Sequence, residues 1–198
     1  MLVSVFDYGA GNLHSLTKAL ALSGAEVRIE SDPLLALDCD ALVLPGVGAF
    51  APAAARLGSG RDAMRRAIAD GLPCLGICLG MQLFFDESDE GEGRGLGLIA
   101  GRVTALDARR QPQIGWNTVD DARDPLLDAA PLPYAYYANG YVCRPDDACC
   151  VRAWSTYESD RFPAVVRHDR TVGVQFHPEK SSRAGLAFVR AFLDEVAR

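Results

Sequence analysis

The run Pro73-Cys74-Leu75-Gly76-Ile77-Cys78-Leu79-Gly80-Met81-Gln82 constrains this chain more than any other segment. An apolar stretch, strand-like over 72–77, gives way after Cys78 to a helical pattern, with a glycine two residues to either side of the cysteine. Glycines at that spacing relieve crowding in a strained strand-to-helix turn. Such a turn lifts the sulfur out at the C-terminal edge of a sheet, where ligand sites of α/β folds form. The free N–H groups at the start of the following helix favour negative charge beside them, and so the reactive thiolate. A buried cysteine in a tight turn is the plainer alternative; the paired glycines and the strand-to-helix setting count against it.

The surrounding pattern fits that turn. Residues 2–7 form an apolar run that ends in Tyr8-Gly9-Ala10-Gly11, and from Asn12, a good N-cap, Leu13, Leu16 and Leu20 recur at helical spacing until Gly24. Strand-like runs follow at 25–30 and 40–44, then a helix over 61–70 closed by Gly71. Strands alternating with helices imply βαβ units and an α/β fold, its mostly parallel sheet flanked by helices on both faces. The second half is different. Segments 102–106, 114–119, 134–144, 151–157, 162–167 and 171–176 read as short strands, and helical periodicity returns only from Leu186 to Val196. The acidic, glycine-rich stretch 87–95 reads as a solvated loop just past the Cys78 turn. No internal repeat or linker divides the chain, so residues 1–198 are expected to form a single domain.

A thiolate needs a proton shuttle, and Val174-Gln175-Phe176-His177-Pro178-Glu179 offers one. A strand ends at His177, and Glu179 can bond one imidazole nitrogen while the other faces the cysteine. Nucleophile, base and orienter make the general logic of a triad. A third element is Leu44-Pro45-Gly46-Val47-Gly48-Ala49-Phe50, where Gly46 and Gly48 free backbone N–H groups around Val47 to meet an oxyanion beside the N–H of Leu79. One such donor is worth roughly 10²–10³ in rate. Alone, that segment is only a turn. Gly9-Ala10-Gly11 hints at a dinucleotide loop, but His14 stands where the third glycine of G-x-G-x-x-G belongs.

Composition narrows the partners. A net charge of −6 and a pI near 5.0 speak against nucleic-acid binding, which draws its affinity from a basic face. No apolar run is long enough to span a membrane, and the N-terminus has no basic region of a signal peptide, so a cytoplasmic location is expected. Six cysteines and three histidines fall in no C-x-x-C pair. No metal site or cofactor is expected, and five of the cysteines read as small buried hydrophobes.

Taken together, the Gly76–Gln82 turn, the oxyanion segment and the His177-Pro178-Glu179 run resemble the triad (class I) glutamine amidotransferases, whose fold is flavodoxin-like, over nearly the whole chain. Several local runs are similar to the glutaminase subunits of imidazole glycerol phosphate synthases: 7–13, 45–50, Gly115-Trp116-Asn117 and 177–182. The resemblance implies that Cys78, His177 and Glu179 hydrolyse glutamine, and that Gln82 and Glu90 hold the substrate, Glu90 through its α-amino group. It also implies that Asn12, Trp116, Asn117 and Lys180 face a (β/α)₈-barrel cyclase subunit, which receives the ammonia in a heterodimer. Two departures stand out. Gln113-Ile114 replaces the usual His-Met before Gly115-Trp116-Asn117, and Asn139-Gly140-Tyr141 replaces a His-Ser/Thr-Tyr run near the substrate carboxylate. Three other readings remain at this point: a glutaminase serving another synthase, a stand-alone cysteine hydrolase of γ-glutamyl peptides, and a non-catalytic module on the same fold.

Overall fold

The computed structural model describes residues 1–9, 11 and 13–198. In chain order the elements are β1 (Leu2–Phe6), α1 (His14–Leu22), β2 (Glu26–Glu30), β3 (Ala41–Leu44), α2 (Phe50–Leu57), α3 (Arg61–Ala69), β4 (Cys74–Ile77) and α4 (Leu79–Gln82). There follow β5 (Glu87–Ser88), β6 (Gly101–Ala105), β7 (Gln113–Thr118), α5 (Pro125–Ala129), β8 (Tyr134–Asn139) and β9 (Tyr141–Pro145). The chain closes with β10 (Val151–Tyr157), β11 (Asp160–His168), β12 (Thr171–Val174) and α6 (Ser182–Val196).

A seven-stranded sheet, ordered β10-β11-β12-β4-β3-β1-β2, carries the molecule. From β2 to β12 the neighbours are parallel, and β11 and β10 add to the edge antiparallel. The parallel part runs β2-β1-β3-β4-β12, the flavodoxin-like order 2-1-3-4-5. Alternation along the strands builds two cores. Val3, Val5, Val43, Leu75 and Ile77 point to α1 and α6, while Phe6, Leu42, Leu44 and Cys74 point to α2 and α3. Helices therefore cover both faces, as the sequence pattern predicts. Among the described residues no helix is long and apolar enough to cross a membrane.

The central parallel strands appear within a residue or two of their expected places, and the differences elsewhere have physical causes. Residues 134–144, read as one strand, are two. Gly140 separates β8, which pairs with β7 in a two-stranded ribbon, from β9, which pairs with β6. Helix α2 gave no start signal of its own, because its cap comes from afar: Glu90 Oε2 accepts the N–H of Phe50 at 2.8 Å. In α5, Asp124 accepts the N–H of Leu126 and Pro125 takes the first turn. The acidic stretch after α4 is no simple loop. Its first residues pair with β6, and Asp86 beside it bonds both Arg61 and Arg94. Only Cys74 and Cys143 of the five supporting cysteines are fully buried; Cys149 is exposed and Cys39 and Cys150 are half-buried.

Candidate active site

The nucleophile candidate stands where the C-terminal ends of β4, β3 and β12 meet. Cys78 adopts φ 48° and ψ −105° between β4 and α4, a conformation disfavoured for a residue with a side chain. The turn is held because the N–H of Cys78 bonds the Val174 carbonyl on β12 at 2.7 Å. The glycines at its flanks are needed for space. A methyl group at Gly80 would fall 1.9 Å from the Leu44 carbonyl oxygen, and one at Gly76 would fall 2.6 Å from the ring of Phe84. Helix α4 is a single turn, so what it offers is local N–H groups rather than a long dipole.

The base candidate arrives from the adjacent strand. Beyond β12 the chain reaches His177, 3 % exposed, whose Nδ1 lies 2.8 Å from Glu179 Oε1. Pro178 sets that spacing by opening a short 3₁₀ turn over Pro178–Lys180. Burial would pull the imidazolium down, but hydrogen bonds to Cys78 and Glu179, and the negative charge on both, push His177 up to about 9. The other thiols are all held up: Cys39, Cys74, Cys143 and Cys150 chiefly by burial, and exposed Cys149 by its bond to Asp147.

The expected oxyanion segment lies against this pair. A methyl group at Gly46 would fall 2.9 Å from each of Cys78 Cβ, His177 Cε1 and the Ile77 carbonyl oxygen. Both side chains therefore close over a backbone that has no room for any. Gly48 takes φ 96°, and Val47 is packed from the other side by Gly11, where a methyl would come within 2.6 Å of Val47 Cβ. Leu79 is buried at the first position of α4.

The expected substrate contacts are partly committed elsewhere. Gln82 is buried and its Nε2 donates to the Tyr141 carbonyl at 3.1 Å, a bond shared by Asn139 Nδ2. Glu90 bonds the N–H that follows Ala49, which ties it to the oxyanion segment through the start of α2. Gly140 lies between two strands, its carbonyl accepting the Leu106 N–H.

Of the residues expected at a partner face, Asn12 lies outside the described residues. Trp116 is 55 % exposed and packs edge-on against Tyr136, with ring centroids 6.3 Å apart. Lys180 Nζ sits 6.0 Å from the centre of the same tyrosine ring. Asn117 donates to the Thr156 carbonyl and accepts the Thr118 N–H, so its half-exposed side chain ties the ribbon to β10.

Sequence reasoning missed the ribbon's part in the site. The Tyr136 carbonyl accepts the N–H of His177 at 2.8 Å, and the Ala138 carbonyl lies 3.9 Å from Cys78 Sγ. The Ser181 hydroxyl donates to the His177 carbonyl at 2.7 Å and accepts the Tyr136 N–H at 2.9 Å. These are main-chain contacts, for which side-chain identity carries no signal. Gln175, which touches Cys78, was in plain view as the polar residue that ends an apolar strand.

The sequence profile of the family "Glutamine amidotransferase class-I" matches residues 4–196. The chain belongs to that family. Among class-I glutamine amidotransferases it is 42% identical over 202 residues, 97% of this chain and 94% of the relative, to the imidazole glycerol phosphate synthase subunit HisH of Natronomonas pharaonis. Subunits of the same name are similar in Symbiobacterium thermophilum, at 47% identity over 93% of this chain and 89% of theirs, and in Methanocaldococcus jannaschii, at 38% over 98% and 99%. Among solved structures, a chain of PurLQS from Thermotoga maritima superposes with a TM-score of 0.76 at 19% identity, covering 98% of each chain. The glutaminase domain of CTPS from Trypanosoma brucei gives 0.65 at 16%, covering 98% of this chain and 93% of that one. At such identities these two speak for the shared amidotransferase fold alone.

Proposed function

We propose that this chain is the glutaminase subunit of an imidazole glycerol phosphate synthase, with residues 1–198 acting as one amidotransferase domain. The observation that carries the reading is the meeting of Cys78, on its strained turn, with a buried His177 whose other nitrogen is bonded to Glu179. Similarity over the whole chain to HisH subunits supports the choice of synthase.

His177 takes the proton of Cys78, and the thiolate attacks the side-chain carboxamide of glutamine. Backbone N–H groups of the Gly46-Val47-Gly48 segment and of Leu79 hold the oxyanion, while Gln82 and Glu90 help to seat the substrate. His177 then gives its proton to the leaving ammonia. Water, deprotonated by the same imidazole, releases glutamate from the thioester. Glu179 fixes the tautomer and orientation of the ring and balances the charge that forms on it. The ammonia passes to a (β/α)₈-barrel cyclase subunit in a cytoplasmic heterodimer, docked over the face that carries Trp116 and Lys180. There it joins the phosphoribulosyl-formimino aminoimidazole carboxamide ribotide, which is cleaved to imidazole glycerol phosphate, for histidine biosynthesis, and aminoimidazole carboxamide ribotide, which enters purine synthesis.

The test is co-purification with that cyclase and assay of glutamate release with and without its ligand. The expected result is a one-to-one complex in which the liganded cyclase raises hydrolysis, and in which Cys78→Ala binds the cyclase but releases no glutamate. Full activity of the isolated chain would instead identify a stand-alone hydrolase. An electrophilic glutamine analogue is expected to label Cys78 alone; labelling at Cys74 or Cys143 would overturn the assignment.

A further inference from the structure

In the register that pairs Val174 with Ile77, the next residue of the chain, Gln175, comes alongside Cys78. Its side chain is fully buried, and its Nε2 donates to Cys78 Sγ at 3.5 Å. Its Oε1 is buried too and has no hydrogen-bond partner among the described residues. That combination is costly, because a dry, unpaired amide oxygen forfeits its hydration and gains nothing in return. A side chain kept for packing alone would be better replaced by methionine or leucine. The half of the amide that is bonded meets the one sulfur expected to carry charge.

We propose that Gln175 is a further catalytic residue, whose amide N–H stabilises the Cys78 thiolate. This rests on the amidotransferase reading above. The neighbours of the sulfur divide the work by protonation state. The Ala138 carbonyl at 3.9 Å is an acceptor and suits the thiol, whereas Gln175 Nε2 is a donor and suits the thiolate. With the amide reversed, Oε1 would oppose the thiolate and the NH₂ group would be left dry, so charge on the sulfur selects the donor orientation. The contact matters twice. Before attack it raises the share of sulfur in the thiolate form. In thioester hydrolysis the water oxygen forms the new C–O bond and its proton goes to His177. The C–S bond then breaks, and the electron pair returns to a sulfur already facing an N–H donor.

The experiment compares wild type, Gln175→Met and Gln175→Glu as full chains, alone and with the cyclase. Three quantities are read: the rate of Cys78 alkylation by iodoacetamide, kcat and KM for glutamine, and Tm. For Gln175→Met, alkylation and kcat are expected to fall about 10–100-fold, the usual worth of a hydrogen bond to a charged group. KM should change by less than about threefold, since the contact is to sulfur and not to substrate. Its Tm should equal or exceed that of wild type, because an unpaired buried oxygen is removed. Gln175→Glu, which sets an acceptor against the thiolate, should lose more activity than Gln175→Met. Unchanged alkylation in Gln175→Met would overturn the proposal. So would a lowered Tm or failure to fold, either of which would assign the amide to the core. Alkylation needs no glutamine, so the Gln175 contact is tested even if wild type failed to hydrolyse glutamine, the result that would sink the amidotransferase reading itself.

Discussion

The N–H of His177 donates to the carbonyl of Tyr136 at 2.8 Å, and the ring of that same tyrosine lies edge-on to exposed Trp116. One residue thus spans from the ribbon's outer face to the main chain of the candidate base. Ser181 closes the link by bridging the His177 carbonyl and the Tyr136 N–H. Trp116→Ala should therefore cut activation by the liganded cyclase by about tenfold, as a population shift of the ribbon. The check is the ratio of glutamate release with and without partner, each variant serving as its own reference. An unchanged ratio in both Trp116→Ala and Lys180→Ala would remove the ribbon from the coupling.

Gly46→Ala adds a methyl group 2.9 Å from Cys78 Cβ, His177 Cε1 and the Ile77 carbonyl. The carbonyl is main chain and cannot step aside as a flexible side chain would, so Cys78 and His177 must spread. A displacement near 1 Å costs about 10² in rate. Steady-state assay of the complex should show at least that loss, with Cys78 labelling slowed in parallel. Wild-type labelling in Gly46→Ala would mean that the pair tolerates the intrusion.

His177 and Glu179 are separable by substitution. His177→Asn removes the proton shuttle and should lower kcat by about 10³–10⁴, whereas Glu179→Gln keeps an acceptor near Nδ1 and should cost less than His177→Asn. Glu179 Oε2 has no partner among the described residues, so the loss on Glu179→Gln comes from charge rather than from a broken network. Equal losses in single-turnover assays would give Glu179 a larger part than orienting the ring.

Stability should depend on pH through the same histidine. Its folded-state value of about 9 lies above the ordinary 6.5, so folding binds the proton more tightly. The stabilisation is then complete below about pH 6.5 and is lost as pH rises through about 9. Melts between about pH 6 and pH 10 should show Tm falling on the alkaline side, by about 2–4 °C per kcal/mol for a chain of this size. Cys78→Ala removes the largest contribution that raises the histidine and should flatten the slope. An equally steep slope in Cys78→Ala would place its origin elsewhere.

What could be read beforehand follows from which forces are local. Short, nearly continuous apolar runs mark β1, β3 and β4, and paired glycines mark the Cys78 turn, because both effects act within a few residues. The pairing of His177 with Glu179 was legible for the same reason, the two being separated only by Pro178. Helix α2 was not, since Glu90 caps it from 40 residues away. Nor was the bond of Asn117 to Thr156, which lies on β10, 39 residues away. The ribbon's grip on the site was hidden most completely, for carbonyls of Tyr136 and Ala138 are identical in every sequence.

That last feature bears on how such a protein diversifies. The ribbon reaches the site through carbonyl groups, which any amino acid supplies, and presents Ile114, Trp116 and Tyr134 outward. If the proposed synthase docks on that outer face, the face can be rewritten for a new partner without touching the groups that meet His177 and Cys78. Partner choice and chemistry would drift on separate clocks, with one two-stranded hinge of inheritance between them.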